Sequence, residues 1–458
     1  MQRTSKNGRT VSGGQHEGVE KLPRKPQRGS SFWLNGQNGR HGYSHHLFRF
    51  PAKFHPPVVR WALGAFARRG SHVLDPFTGS GTVQLEALVR GISSVGVDID
   101  PLACFLTRVK TTPLEVLKLC RAWERVEREI SCHARCHHRQ ENRRGADISS
   151  ETYEAESKGL FVPSIPNITH WFRKYVIIDL ATILRAINEV DISAAEQRFF
   201  KACFAAVIRN VSNADPTPVS GLEVTCVQSA RNRRRKINVF DAFSTKVARA
   251  ITGVGELWED LRGRRATARV IQTNVLNLEK RLGVSAEISL VITSPPYCQA
   301  VEYSRRHRLE MFWLGLVDNS EDHSSLAHSY IGRHLVRVKD SIRSADFGVK
   351  PLDRVLSKVR ELNGTRARTL QGYFDSMEKA FMQLHRVVRK NGNLVCIVGD
   401  SQCCGIPIAT TDFIVSLVGE LFSLQNRFAY AVRNHYMQYG LRNGNGIREE
   451  NVLIFKRR

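Results

Sequence analysis

The feature that most constrains the fold is the stretch from Ser71 to Asp100, where two short apolar segments flank a glycine-containing loop and an amphipathic helix. It reads "SHVLDPFTGSGTVQLEALVRGISSVGVDID". A strand, a helix and a second strand in this order form a βαβ unit with parallel strands. Strand-like segments recur at "TARVIQTNV", "EISLVITS" and "NLVCIVGDS", with the helical pattern "YFDSMEKAFMQLHRVVRK" before the last of them. The sequence therefore predicts an α/β fold built on a mainly parallel, doubly wound sheet.

Three other regions depart from this alternation. The segments "FSLQNRFAYAVRNHYM" and "EENVLIFKR" near the end predict a terminal antiparallel hairpin. Residues 115–265 lack strand signals and predict a large, mostly helical, basic insertion. The first residues contain few large apolar side chains, so we expect a disordered basic arm. The predicted boundaries are 1–35 for the arm, 36–114 and 266–458 for the two parts of the sheet domain, and 115–265 for the insertion.

The charge of the chain indicates the chemistry of its partner. With 68 Lys and Arg against 43 Asp and Glu, the net charge is +25. Such a surplus predicts a polyanionic partner, nucleic acid before a membrane surface. No apolar run reaches the ~18 to 20 residues of a membrane span, and the N-terminal residues lack the apolar segment of a signal peptide. We therefore expect a soluble cytoplasmic protein with no membrane partner.

The cysteines predict neither disulfides nor a metal site. Ten cysteines in this long chain follow no disulfide spacing. The cluster "CHARCHH", from Cys132 to His138, offers potential zinc ligands. It lacks a second pair of Cys or His at a suitable distance, and the surrounding arginines would repel a cation. No metal is predicted.

Two loops that follow predicted strands, "DPFTGSGT" and "TSPPY", can face one crevice, because ligands of open α/β sheets bind beyond the carboxyl ends of the strands. Gly79 and Gly81 allow the backbone to approach a ligand closely. Asp98 ends the second strand, where a carboxylate can accept both hydroxyls of a ribose, although it could instead cap the helix that begins near Pro101. The third glycine of a dinucleotide fingerprint and the lysine of a P-loop are missing, which favours a nucleoside without phosphate.

These residues carry a family resemblance. "DPFTGSGT" resembles the S-adenosylmethionine loop of DNA amino-methyltransferases, and "TSPPY" resembles their catalytic loop. "FPAKFHP" is similar to the family's segment at the methionine end of the cofactor, and "REENVLIFKR" to its last strand. The resemblance implies a Rossmann-like class I methyltransferase fold that binds S-adenosyl-L-methionine, and the Ser form of the loop is typical of cytosine-N4 enzymes. Residues 115–265 and 318–370 match no motif of the family.

The resemblance also assigns cofactor contacts residue by residue. It implies contacts to the methionine part from the first loop, namely Asp75, Phe77, Gly79, Ser80, Gly81 and Thr82. It places Asp98 and Ile99 at the ribose and adenine, and Lys53 and Phe54 at the carboxylate. One position departs from the family, which often has Asp near the adenine amino group where this chain has Asn274. An amide can still hydrogen-bond adenine.

The catalytic residues implied by the resemblance are Ser294, Pro295, Pro296 and Tyr297. Two successive prolines fix the backbone rigidly after the strand. The exocyclic nitrogen of a base is a weak nucleophile, so the Ser294 side chain and the Pro295 carbonyl would accept its two N–H groups. Tyr297, a residue type equally compatible with packing, would stack on a base flipped out of the duplex. Positioning against a reactive methyl donor would then supply most of the rate.

The predicted function is methylation of an exocyclic amino group in double-stranded DNA, cytosine N4 first. Adenine-N6 methylation, RNA (tRNA) amino-methylation and a non-catalytic nucleic-acid-binding role on the same scaffold stay open, as does a cognate restriction endonuclease as partner. Carbon-5 methylation of cytosine requires a Cys directly after Pro-Pro, but Cys298 comes one residue late. The Glu450-Asn451-Val452 echo of that family lies in the last strand, too far along the chain. We do not expect carbon-5 chemistry.

The predicted insertion contains the basic run "RNRRRK". Because phosphate contacts from such residues set affinity for nucleic acid, we predict that this run grips DNA. A solvated charged loop is the alternative. Association with the nucleoid would follow from the DNA contact. The residues assigned to the grip are Arg231, Arg233, Arg234, Arg235 and Lys236.

Overall fold

The computed structural model describes residues 17–34, 42–51, 53–133, 147–215, 222–283, 288–298, 303–332, 346–431 and 449–458. Within these ranges the strands, numbered in chain order, are β1 (Glu17–Val19), β2 (Ser31–Leu34), β3 (His72–Asp75), β4 (Ser93–Asp98), β5 (Ala268–Gln272), β6 (Ile288–Thr293), β7 (Val388–Val398), β8 (Ser401–Cys403), β9 (Ile406–Ile408), β10 (Phe422–Ala431) and β11 (Glu449–Arg457).

Nine of these strands form one sheet in the order β1-β2-β10-β11-β7-β6-β3-β4-β5, while β8 and β9 form a separate hairpin. Every neighbouring pair in the large sheet is parallel except the two pairs made by β11, which runs antiparallel to both β10 and β7. The order β5-β4-β3-β6-β7-β11-β10 with one reversed strand is that of the class I methyltransferase fold. The predicted fold class is confirmed, including the antiparallel pair at the end of the chain.

The α-helices of the described residues are Pro56–Phe66, Thr82–Val89, Pro101–Lys110, Val116–His133, Ser150–Ser157, Ile168–Trp171, Lys174–Glu189, Ala194–Val211, Cys226–Arg234, Val239–Leu261, Leu278–Leu282, Tyr303–Arg306, Arg308–Trp313, Ser320–His328, Lys350–Leu362, Gly364–Val387 and Thr410–Leu417. In the part of the chain that the structure describes, none combines the length and apolarity that a bilayer crossing requires.

Successive strand residues point to opposite sides of the sheet, so apolar side chains emerge on both faces. Helices cover both of these faces. On one face, Val73, Leu290 and Ile292 pack with the helix Pro56–Phe66. On the other, Leu74 and Val291 share a core with the helix Gly364–Val387. Strands buried on both faces explain why "SLVIT" reads as a continuous apolar run rather than an alternation.

The elements described between residues 116 and 261 are all helices, as the sequence predicts. They form an apolar core of their own that includes Leu180, Phe204 and Val247. The same core takes in Leu102 and Leu106 of the helix that follows β4. The helical region is therefore packed directly against the sheet domain through a continuous core.

The expectation of a disordered arm is wrong for residues 17–34. The short strands β1 and β2 extend the sheet beyond β10, with Phe32 opposite Tyr430. Phe32 and Leu34 are buried. A few apolar residues at alternate positions suffice here because they complete an open sheet edge, which composition alone does not show. Residues 1–16 and residue 35 of the predicted arm lie outside the described residues.

Candidate active site

An open cavity of about 850 Å³ lies at the carboxyl ends of the parallel strands. It brings together both loops that the sequence singles out. The predicted residues that line it are Lys53, Phe54, Asp75, Phe77, Gly79, Ser80, Thr82, Asp98, Ile99, Asn274, Ser294 and Pro296. Three other predicted residues, Gly81, Pro295 and Tyr297, belong to the same loops without lining the cavity.

The glycine loop between β3 and the helix Thr82–Val89 is held by hydrogen bonds to β4 and to the helix that follows β4. Gly79 and Gly81 both adopt left-handed backbone, with φ of 49° and 74°. The Gly79 amide donates to Asp98 Oδ2 (2.8 Å), and its carbonyl accepts from Thr107 Oγ1 (3.1 Å). A Cβ on Gly81 would come within 2.6 Å of the Thr107 side chain. Both the backbone angle and this close approach therefore require glycine at position 81.

Asp98 faces the cavity, and its neighbour Asp100 caps the next helix. Asp98 accepts hydrogen bonds from the amides of Gly79 and Asp100, and burial raises its pKa against these two bonds. Asp100 Oδ1 accepts from the amides of Leu102 and Ala103, which makes Asp100 the N-cap of the helix Pro101–Lys110. The alternative in which Asp98 caps this helix is wrong.

Asp75 joins the two loops. Its carboxyl group is buried and accepts from the Phe77 amide (3.1 Å) and from Thr293 Oγ1 (2.9 Å). Because Thr293 directly precedes Ser294, this contact links the end of β3 with the start of the catalytic loop. Burial raises the pKa of Asp75 to about 7.

Two lysines, half-buried Lys53 and buried Lys110, lie near the first loop. Lys53, at the cavity wall, donates to the His45 carbonyl (2.8 Å), and burial lowers its pKa to about 8 against the attraction of Glu86. Lys110 donates to the Ser80 carbonyl (2.5 Å), and burial lowers its pKa well below the usual value. Lys110 was not predicted as a site residue, because a lysine at the end of an ordinary helix gives no signal of its own.

Part of the cavity wall comes from residues that the sequence analysis did not assign. Tyr330 of the unassigned stretch 318–370 lines the cavity beside Asp100. Burial raises the pKa of Tyr330, and the negative charges of Asp100 and Asp98 raise it further. Asn274 donates to the Ser329 carbonyl (3.4 Å), which connects this wall to the end of β5. The other unassigned residues of the wall are Phe50, Pro76, Thr78, Thr273, Val275, Tyr303, Ser329 and Ile331.

The catalytic loop is connected to the end of the chain. The Tyr297 hydroxyl donates to Glu450 Oε1 (2.5 Å), and the Tyr430 hydroxyl donates to Glu450 Oε2. Cys298 is buried in the apolar core, and burial raises its pKa far above the range in which a thiolate forms at neutral pH. The expectation that carbon-5 chemistry is absent stays a prediction.

The basic run of the helical region divides into two groups. The Arg235 guanidinium donates to the carbonyls of Asn210 and Ser212, so it satisfies the C-terminal end of the helix Ala194–Val211. Burial lowers its pKa. Arg231 and Lys236 are exposed. The side chains of Arg233 and Arg234 lie outside the described part, as do residues 134–138 of the "CHARCHH" cluster.

Comparisons with known proteins associate the chain with one class of enzyme. No family model matches it. It is 25% identical over 369 residues to the Type II methyltransferase M.MvaI of Kocuria varians, a match covering 78% of this chain and 76% of that protein. M.BsoBI of Geobacillus stearothermophilus is 22% identical over 414 residues, with 82% and 77% covered. M.MjaII of Methanocaldococcus jannaschii is 33% identical over 103 residues, with 22% and 19% covered. These relatives are all Type II methyltransferases.

Among solved structures, the chain resembles the rRNA methyltransferase aviRa from Streptomyces viridochromogenes. The TM-score is 0.29 at 10% identity, covering 91% of this chain and 88% of that one. A TM-score this low does not bear on the fold, which rests on the strand order and directions given above.

Proposed function

We propose that the protein is an S-adenosylmethionine-dependent DNA methyltransferase that modifies an exocyclic amino group, cytosine N4 before adenine N6. One observation carries the proposal. Ser294 and Pro296 of the Ser-Pro-Pro-Tyr loop line the same cavity as the glycine loop and Asp98. An amine placed against the catalytic loop would therefore face a nucleoside bound at the glycine loop. The similarity to Type II methyltransferases supports the same reaction class.

The residues of the cavity fit S-adenosylmethionine. Asp98 can accept ribose hydroxyls, and Lys53 can pair with a carboxylate. Thr82 lines the cavity, and its buried Oγ1 has no hydrogen-bond partner among the described residues, which a polar ligand group at this wall can supply. When bound, the cofactor supplies an electrophilic methyl group.

The chain itself positions the amine. Ser294 offers a neutral hydroxyl oxygen, and the Pro295 carbonyl offers a second acceptor, so the two can hold both N–H groups of an exocyclic amine. The prolines reduce the freedom of this pair, and Asp75 holds the start of the loop through Thr293. Tyr297 would contact the face of the extrahelical base.

The proposed target is double-stranded DNA. The net charge of +25 supports a polyanionic partner. Exposed basic residues such as Arg231 and Lys236 would contact phosphates, and we assign target selection to the helical region 115–265. A cognate endonuclease and a nucleoid-associated location in the cytoplasm belong to the same proposal.

The deciding experiment is methyl transfer from labelled S-adenosylmethionine to DNA, followed by digestion to nucleosides. We expect label in N4-methylcytosine. Label in N6-methyladenine would change the base but keep the reaction class. Label confined to 5-methylcytosine or to RNA would contradict the proposal. Calorimetry with the cofactor separates an enzyme from a pure nucleic-acid-binding protein, which would show no binding heat.

A further inference from the structure

A single carboxylate joins the catalytic loop to the last two strands of the sheet. Glu450 is the second residue of β11, directly opposite Tyr430 of β10. Its Oε1 accepts from the Tyr297 hydroxyl (2.5 Å), and its Oε2 accepts from the Tyr430 hydroxyl. Each carboxylate oxygen therefore accepts a hydrogen bond from one tyrosine.

Partial burial disfavours the ionised form of the Glu450 carboxylate. Burial raises the pKa of Glu450, and the two tyrosine hydrogen bonds oppose that shift. Glu450 is half-buried, and a carboxylate removed from water in this way is destabilised unless hydrogen bonds satisfy its oxygens. An anionic acceptor also forces the Tyr297 hydroxyl to act as the donor, and a charged hydrogen bond restrains the ring more strongly than a neutral one.

Tyr297 is restrained from a second side as well. Gly332 packs so closely that a Cβ there would lie 3.1 Å from the Tyr297 carbonyl oxygen. The Tyr430 ring, in turn, stacks on His55 with ring centroids 6.1 Å apart. His55 follows Lys53 and Phe54 of the cavity wall. The backbone and the hydroxyl of Tyr297 are thus both held by parts of the chain distant in sequence.

We infer that Glu450 is a positioning residue that fixes the orientation of the Tyr297 ring for the target base. This inference rests on the proposed function, in which Tyr297 contacts an extrahelical base. Glu450 acts through the Tyr297 hydroxyl and touches neither the base nor the cofactor. The restrained ring presents one face to the base before it arrives, so less freedom is lost on binding.

The test is a double-mutant cycle between Glu450 and Tyr297. The variants are Glu450→Ala, Tyr297→Phe and the combination of the two, with kcat and KM measured on DNA and cofactor Kd measured by calorimetry. We expect Glu450→Ala to lower kcat about 10- to 100-fold, with cofactor Kd within about twofold of wild type. Because Glu450→Ala already removes the hydrogen bond that Tyr297→Phe would remove, the double variant should be no slower than Glu450→Ala alone.

Two further variants separate positioning from folding. Glu450→Gln keeps the side-chain shape and one acceptor oxygen, so we expect it to restore part of the lost kcat. Glu420→Gln, an exposed carboxylate near the start of β10, is the matched control and should behave as wild type. Wild-type kcat in Glu450→Ala, or losses that multiply in the double variant, would overturn the inference. Absence of methyl transfer by the wild-type protein would instead refute the proposed function.

Discussion

The two loops of the candidate site are held in different ways. The glycine loop takes its partners from nearby in the chain, since Gly79 contacts Asp98 and Thr107, 19 and 28 residues away. Tyr297 of the catalytic loop contacts Glu450, 153 residues away. The glycine loop of the cofactor half is thus held by residues close to it in the chain. The catalytic half depends on the completed sheet, so the two halves should respond to different mutations.

The largest expected effect is a loss of cofactor affinity caused by a change in the glycine loop of the cofactor half. Gly81→Ala adds a Cβ that would lie 2.6 Å from Thr107 and also forces an L-residue to φ 74°. We expect cofactor affinity to fall about 30-fold or more, because overpacking adds about 1 to 3 kcal/mol to the backbone strain. Calorimetry with S-adenosylmethionine measures the loss.

Gly91→Ala is the matched control for this prediction. Gly91 has a similar φ of 69°, but a Cβ there would meet no atom within 4 Å. It carries the backbone strain of about 1 to 2 kcal/mol without the collision. Equal losses of cofactor affinity in both variants would show that the contact between Gly81 and Thr107 has no role.

The next largest expected effect is a fall in kcat caused by a change beside the catalytic loop. Gly332→Ala, at φ 78°, would press a Cβ against the Tyr297 carbonyl oxygen. We expect kcat to fall about tenfold through displacement of the catalytic loop, while cofactor Kd changes little. Gly348→Ala, at φ 68° with no atom within 4 Å, should leave kcat unchanged. A fall in cofactor affinity that matches the fall in kcat would mean that the two halves are not separable.

The pH dependence of cofactor affinity tests whether Lys53 binds the carboxylate of the cofactor. Lys53 has a pKa lowered to about 8 by burial, with Glu86 opposing the shift and buried Lys110 close enough to feel its charge. A bound carboxylate would raise this pKa, so binding takes up a proton. Affinity should be full below pH 8 and decline as the pH rises through 8 and above. Calorimetry between pH 7 and 10 measures it, and Lys53→Met should abolish the dependence. A flat wild-type profile would exclude Lys53 from the carboxylate contact.

The smallest effect concerns the helical region, outside both halves. Each phosphate contact contributes about 0.9 to the log–log slope of DNA affinity against salt. Replacing Arg231 and Lys236 by Ser should therefore flatten the slope by about 1.8. Arg235→Ser should lower thermal stability and leave the slope unchanged, because its guanidinium is bound to the carbonyls of Asn210 and Ser212. Equal slopes for all variants would place the DNA grip elsewhere.

The cofactor half was the more predictable from sequence, for a physical reason. Parallel strands end at one edge of a sheet, so the residues after each strand converge regardless of the rest of the fold. Asp75, Gly79 and Asp98 line the cavity on this basis. From the sequence, Asp98 could also have capped the helix that begins near Pro101, and only the structure assigns that cap to Asp100.

Contacts that depend on register and strand direction needed the tertiary structure. The apolar run of residues 452–455 predicts a strand of the terminal antiparallel pair, but only the assembled sheet brings Glu450 to Tyr297 at the edge where the parallel strands end. Tyr330 likewise reaches the cavity through packing between distant segments. Periodicity along the chain determines which segments are strands and which loops follow them. Which distant side chain reaches a loop is decided only when the whole sheet is assembled, because a one-residue change of register would turn that side chain to the other face.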